Sequence, residues 1–532
     1  MSQALLSINE ASKWASDYLE RPVTPSNISY LIQYAKVKKY YDKEKKIKVN
    51  LTELKKYYDE YVIKKQEEWK KRLGEDLNWS LSFAHLREAD TTKHVHRLHP
   101  YKGKFIPQLV EYFLDSHLNT FKKQIFFKAG DIVLDPFMGS GTTLVQASEL
   151  GLHSVGIDIS DFNCLISKVK LGDYDIFKLS YTTKNALSQT LAFSNKVFDD
   201  SFDGELKERL NEFNKKYFPN PEFKNKVRKG LINEKEYGEE KLKQFLKENE
   251  EFFKKNGTKD KSILLDEKDM NNFLSKWFSK RVKQELFYYI KLLDKIEDEK
   301  IKQVMRIILS RTARSSRATK HSDLATLKEP QIGPYYCRKH KKLCTPINTI
   351  TKHLRRYTYD TIKRIKEFSD LKKDVYFSVI HEDSRDVNIF EEVKKQNPDF
   401  FKILSKQKIA GVFTSPPYVG QIDYHEQHAY AYELFNIPRK DDKEIGPLYK
   451  GKGKQAREEY VDGISKVLRN VSQFVKDDGN FFIVANDKYD LYPIIAEKSG
   501  LKIVDRFKRP VLNRTEKDRQ PYAEIIFHMR KK

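Results

Sequence analysis

Residues 131–160 read DIVLDPFMGSGTTLVQASELGLHSVGIDIS, and this stretch decides the fold. Ile132-Val133-Leu134 is a short apolar run, mostly β-branched and bounded by turn residues, as in a strand buried on both faces. A turn follows through Asp135-Pro136-Phe137-Met138-Gly139-Ser140-Gly141-Thr142, in which glycine lets the backbone approach a ligand closely. Thr143 to Leu150 reads as a helix, and Leu152 to Ile157 as a second strand ending in Asp158. Strand, glycine-rich turn, helix and strand with a terminal acid is how doubly wound α/β folds build a nucleoside site at the carboxyl ends of strands. No lysine follows the glycines and the spacing is not GxGxxG, so a phosphate-loop NTPase is disfavoured.

A second strand end stands far along the chain, in GVFTSPPYVGQIDYHEQHAY (411–430). Ile409–Phe413 reads as a buried strand that Ser415-Pro416-Pro417-Tyr418 must stop, because each proline removes a backbone donor and locks φ.

With both loops in one chain, the sequence resembles the amino-methyltransferases of DNA, which use S-adenosylmethionine. In that family DPFxGSGT is the cofactor loop and a strand-end [DNS]PP[YFW] is the catalytic loop. The resemblance covers residues 90–172 and 374–532, and it includes HRLHPYKGKFIPQLVEYFL (96–114). It implies a Rossmann-like doubly wound methyltransferase sheet of the α/β class. It also implies that Asp135, Phe137, Gly139, Ser140, Gly141 and Thr142 form the cofactor loop, and that Asp158 meets the ribose hydroxyls. Tyr101, Lys102, Gly103, Lys104 and Phe105 would approach the cofactor's methionine end. In SVIHEDSRDV (378–387), Asp383 would meet the adenine amino group, with Glu382 as the second choice.

Methylating the amino group of a base is chemically demanding, because its lone pair is delocalised into the ring. Hydrogen-bond acceptors that grip the amino hydrogens stabilise the positive charge developing on nitrogen. Ser415 Oγ and the Pro416 carbonyl are the acceptors expected, held rigid by Pro416 and Pro417. Tyr418 offers a face on which a flipped-out base can stack. Direct in-line transfer from an activated methyl donor needs neither a metal nor a covalent nucleophile. Methylation at cytosine C5 needs a cysteine, in its family within a Pro-Cys motif, and no cysteine here follows a proline. SPPY in place of DPPY tilts the product toward N4-methylcytosine. N6-methyladenine is the alternative, followed by an RNA base methyltransferase or a non-catalytic DNA-binding protein.

Composition agrees with a polyanionic partner: Lys and Arg number 100 against 76 Asp and Glu, a formal charge of +24. The expected division is a helical unit over 1–60, a linker over 61–90, a first methyltransferase part over 91–174, a mainly helical insert over 175–373 and a second methyltransferase part over 374–532. In the first unit, helices on either side of a break at 21–26 outline a helix-turn-helix or winged-helix reader, with a docking arm as the alternative. The insert is a candidate target-recognition domain. Its segment 310–365 is rich in Arg and Lys, and Arg311, Arg314, Arg317, Lys320, Arg355 and Arg356 are expected to face duplex DNA. Within it, Cys337-x-x-His340-x-x-x-Cys344 suggests zinc, but a structural site wants four ligands. His321 or His353 would have to complete it, so two buried thiols and no metal are expected. Asp423, His425, Glu426 and His428 are expected to line the base pocket or start a helix. Three cysteines fit a reducing compartment, and no run is apolar enough to span a membrane; a cytoplasmic protein with a possible cognate restriction endonuclease as partner is expected.

Overall fold

The computed structural model describes residues 4–19, 23–33, 36–83, 86, 90–119, 121–257, 272–321, 323, 327–512 and 521–532. Residues 21–22, at the start of the expected break, lie outside the described residues. Seven strands form the central sheet: β1 (Ile132–Asp135), β2 (His153–Ile157), β3 (Phe377–Ile380), β4 (Ile409–Thr414), β5 (Val475–Ala485), β6 (Leu501–Pro510) and β7 (Ala523–Lys531). Their spatial order is β6-β7-β5-β4-β1-β2-β3. The first five strands pair in parallel, and β7 runs antiparallel to both β5 and β6. From β1 the chain winds outward to β2 and β3, then returns across β1 to lay down β4. That reversal is the topological switch point where such sheets bind ligands. It makes the glycine turn after β1 and the proline turn after β4 neighbours, although about 280 residues separate them.

All residues of β1 and β4 are buried, as expected for strands covered by helices on both faces. Helix α1 (Thr142–Leu150) follows β1, and α2 (Asp161–Leu171) follows β2 with Ser160 capping the Asn163 N–H.

The insert follows α2 and precedes β3. Its principal helices are α3 (Ile176–Val197), α4 (Ser201–Tyr217), α5 (Glu234–Glu248), α6 (Lys280–Leu293), α7 (Glu299–Ser315) and α8 (Thr351–Ser369). It is not a detached domain. One apolar cluster runs from Met138, Leu144 and Phe162 of the sheet layer into Leu179, Leu286, Ile308 and Leu354 of the insert. Each such buried side chain contributes about 1.5–3 kcal/mol, so this seam is a strong one. A satellite cluster gathers Leu210, Phe213, Phe245 and Leu343 in the insert's outer part.

Two expectations need correction. The first unit is not purely helical: strands Leu5–Ser7, Tyr40–Tyr41 and Ile47–Asn50 form a three-stranded antiparallel sheet beside helices Ile8–Tyr18 and Pro25–Gln33. Nor is 61–90 a free linker. Helix Leu51–Tyr58 continues through a π turn into helix Lys64–Leu73, Trp69 is buried edge-on against Trp79, and the Asn78 N–H donates to the Lys508 carbonyl at 2.8 Å on β6. Leu81 supplies apolar area to the docking, in one cluster with Phe507 of β6. No helix among the described residues is long and apolar enough to cross a membrane.

Candidate active site

At the switch point lies a cavity, open to solvent, between the β1, β2, β3 and β4 turns. Its floor is the glycine turn. Gly139 takes φ +51°, and a Cβ there would lie 3.1 Å from the Tyr101 ring. Gly141 takes φ +72°, and its Cβ would press 2.7 Å from Ser167 Oγ. Both positions therefore require glycine.

Asp158 stitches the turn to the end of β2. One carboxylate oxygen accepts the Gly139 N–H at 2.8 Å; the other accepts the Ser160 N–H at 2.8 Å and Asn163 Nδ2 at 3.0 Å. Burial pushes its acid up to about 6, against those hydrogen bonds. Tyr101, Phe137, Gly139, Ser140, Thr142, Asp158, Lys104 and Phe105 all line the cavity. Lys104 donates to the His96 carbonyl at 2.6 Å, and burial lowers it to about 8. Glu382 and Asp383 both reach the wall, but the Asp383 carboxylate is gripped by Arg385 through Nε at 2.9 Å and Nη2 at 2.5 Å.

Asp135 and Gly141 belong to the same turn but stand behind the residues that line the cavity. Asp135 is 1% exposed and braces the two loops: it accepts Thr414 Oγ1 at 2.6 Å, Thr143 Oγ1 at 2.7 Å and the Phe137 N–H at 3.1 Å. The β1–β4 register sets Thr414 beside it.

On the opposite wall stand Ser415 and Pro417, whereas Pro416 is buried and Tyr418 does not line the cavity. The Tyr418 hydroxyl donates to Glu524 Oε1 at 2.9 Å, which turns it away from the cavity. A serine hydroxyl carries two acceptor lone pairs, and Ser415 stands in the cavity wall.

Sequence reasoning missed Asn163, Tyr424 and Glu444 as lining residues. Asn163 stands one helical turn after the β2 acid, a spacing that was readable. Glu444 was not readable: it is brought in by the His425 ring and by the backbone N–H groups of Tyr424, at 3.2 Å, and His425, at 2.7 Å. His425 lines the cavity as expected, and His428 is buried against Tyr101 behind it.

The expected DNA-facing set divides. Arg311 and Arg317 are only 5% and 4% exposed, which corrects that expectation. Arg311 sits three and four residues after Ile308 and Ile307, on the buried face of α7, and bonds Asp360 at 2.5 Å and Thr361 at 2.7 Å. Arg317 donates to the Arg314 carbonyl at 2.8 Å beside the Tyr430 ring. Lys320, Arg355 and Arg356 are exposed, and Arg314 is half-buried. Arg314 and Arg356 line a basin with Arg97, Pro100, Arg364 and the largely buried Arg311, and Pro100 directly precedes Tyr101 of the cavity. We expect Arg311→Ala to cost about 3 kcal/mol of stability, the low end for a broken buried pair because Arg364 still holds Asp360. A urea midpoint equal to wild type would return Arg311 to the surface set.

Fold and site together define a Rossmann-like methyltransferase that presents an acceptor group between a glycine turn and a proline-bound strand end. Residues 17–169 match the family described as DNA methylase. The chain is 51% identical to the Type II methyltransferase M.MjaII of Methanocaldococcus jannaschii over 532 residues, covering 99% of this chain and 97% of that protein. It is 30% identical to the Type II methyltransferase M.MvaI of Kocuria varians over 123 residues, 23% of this chain and 25% of that protein. A third stretch, 36% identical over 72 residues, relates it to the Type II methyltransferase M.BsoBI of Geobacillus stearothermophilus, over 14% of this chain and 13% of that protein. The chain belongs to the DNA amino-methyltransferase family, whose members take the methyl group from S-adenosylmethionine.

Proposed function

We propose that this protein is the modification methyltransferase of a type II restriction-modification system, and that it methylates the N4 amino group of a cytosine flipped out of duplex DNA. The observation that carries the reading is Ser415: the first residue of the proline loop stands in the wall of the same cavity as the glycine turn, and its hydroxyl supplies an acceptor there. Serine as the first residue of the proline loop favours cytosine over adenine by resemblance to the family.

The cavity fits the cofactor. Ser140 Oγ and Asn163 Oδ1 line it, buried and without a partner among the described residues, and the half-buried Asp158 carboxylate is placed for a ribose diol. When bound there, S-adenosylmethionine supplies a methyl group already activated on a sulfonium. This chain's residues hold, orient and desolvate. Ser415 accepts one amino hydrogen and so favours the pyramidal, positively charged nitrogen. Asp135 ties the β1 and β4 turns together, and the two halves of the site therefore keep a fixed separation.

DNA reaches the site across the basic basin. Arg355 and Arg356 on α8 are exposed and bind phosphate in this reading. Replacing both with alanine should weaken duplex binding and lower the slope of log affinity against log salt by about 2. An unchanged slope would place the duplex elsewhere.

The direct test incubates the protein with methyl-labelled S-adenosylmethionine and duplex DNA, then identifies the labelled nucleoside by mass spectrometry. N4-methylcytosine is expected. N6-methyladenine would overturn the choice of base, and label recovered only in RNA would overturn the substrate.

A further inference from the structure

The sequence leaves Cys337, His340 and Cys344 one ligand short of a metal site. The fold supplies the missing donor. His321 lies on the segment after α7, and Cys337 and Cys344 stand on the two strands (Tyr335–Cys337 and Lys342–Cys344) of a small hairpin whose turn carries His340. One donor atom from each of these four residues comes within 4.8 Å of all the others. Cys344 Sγ is 3.5 Å from His340 Nδ1, Cys337 Sγ is 3.9 Å from His321 Nδ1, and the two imidazole centroids are 4.6 Å apart. We propose that His321, Cys337, His340 and Cys344 bind a single structural zinc ion that fastens the segment after α7 to this hairpin.

Several features of the local structure support that assignment. The hairpin register pairs Cys337 with Lys342 and Cys344 with Tyr335, so the cysteines are diagonal on one face. Diagonal cross-strand residues stand roughly 7–8 Å apart at Cα, beyond comfortable disulfide reach, whereas a metal bridges such a gap. The turn is tight: the Lys341 N–H donates to the Cys337 carbonyl at 2.7 Å, and Lys341 takes φ +55°, a left-handed conformation a non-glycine residue adopts only where its surroundings impose it.

His321 is oriented by a partner of its own. The Tyr335 hydroxyl accepts its backbone N–H at 2.9 Å and lies 2.5 Å from its Nδ1, which pins His321 to the first strand of the hairpin. The hairpin is also anchored from below: Asn214 of α4 bonds both the Leu343 carbonyl, at 3.0 Å, and its N–H, at 2.9 Å. Two thiolates and two neutral imidazoles suit tetrahedral zinc, and the two thiolates neutralise its charge beside Arg338, Lys339 and Lys342. Cys337 is buried while Cys344 is only partly so, which also departs from the expected pair of buried thiols.

The test uses the full-length protein, purified without chelators from zinc-supplemented medium. Elemental analysis should find about one zinc per chain. Exchange for cobalt(II) should give the intense visible absorption of a tetrahedral site together with sulfur-to-cobalt charge transfer. Cys337→Ser and His321→Ala should lose the metal, and His353→Ala, which changes the other histidine near in sequence, should keep it. Zinc-free protein with a weak, octahedral cobalt spectrum would overturn the proposal, as would a Cys337–Cys344 disulfide in the protein as isolated. Loss of metal in His353→Ala with retention in His321→Ala would overturn the ligand set. The first two measurements are made on unmodified protein, so a variant that fails to fold cannot hide the answer.

Discussion

Ser415→Ala should slow methyl transfer about 10²–10³-fold while leaving the affinity for S-adenosylmethionine unchanged. The size follows from the role: one preorganised hydrogen bond aimed at charge that develops only in the transition state is removed, and ground-state binding is not touched. The direction depends on the place of Ser415 in the cavity wall: its hydroxyl oxygen is the acceptor there, and alanine leaves nothing in its place. The fold should be undisturbed, since Ser415 is neither a core residue nor part of the Asp135 brace. Single-turnover transfer on saturating DNA, alongside cofactor titration, separates the outcomes. A variant as fast as wild type would remove Ser415 from the chemistry. Equal loss of rate and cofactor affinity would make it a structural residue.

Asp158→Ala should act on the other side of that division. We expect the S-adenosylmethionine Kd to rise roughly 100-fold, about 3 kcal/mol, since charged hydrogen bonds are worth about 1.5–3 kcal/mol each. The carboxylate fixes the turn through the Gly139 N–H and orients Asn163, so its removal disturbs a wall of the cavity as well as a ligand contact. Asparagine should not rescue it, because an amide nitrogen facing the Gly139 N–H sets donor against donor. The same residue gives a pH dependence. Its acid is raised to about 6 by burial, and only the carboxylate accepts all of these bonds. Binding draws on the ionised form, so affinity should be full above pH 6 and fall as the pH drops below it. Asp135 is raised to about 6 as well. Calorimetry from pH 5 to 8 on both proteins distinguishes them: a dependence abolished in Asp158→Ala belongs to Asp158, and one that persists belongs to the Asp135 brace.

Much of the site was legible because it is written in short, contiguous patterns. An apolar run that meets glycines or prolines ends as a strand wherever it lies, so the β1 and β4 ends and their turns could be placed from local chemistry. The β2 acid, Asp158, was legible for the same reason. The arginines were not. Arg311 looks like a DNA contact in a basic stretch, and only the position of Ile307 and Ile308 on the same helical face hints that it turns inward to Asp360. The stretch over 61–83 reads as charged and solvated, yet Leu81 joins the apolar cluster of the sheet and the Asn78 N–H bonds the Lys508 carbonyl on β6.

By itself, then, the sequence determined a doubly wound sheet, its two reactive turns and the kind of group they serve, because each depends on residues within a few positions of one another. Tertiary structure decided what those residues face. It set Asp135 against Thr414 from a strand laid down far later, turned the Tyr418 hydroxyl to Glu524, and carried His321 to the hairpin cysteines. None of these contacts has a periodicity or spacing to announce it. Each arises where strand order and helix packing bring distant side chains to one point, and burial there favours the pairing of donor with acceptor.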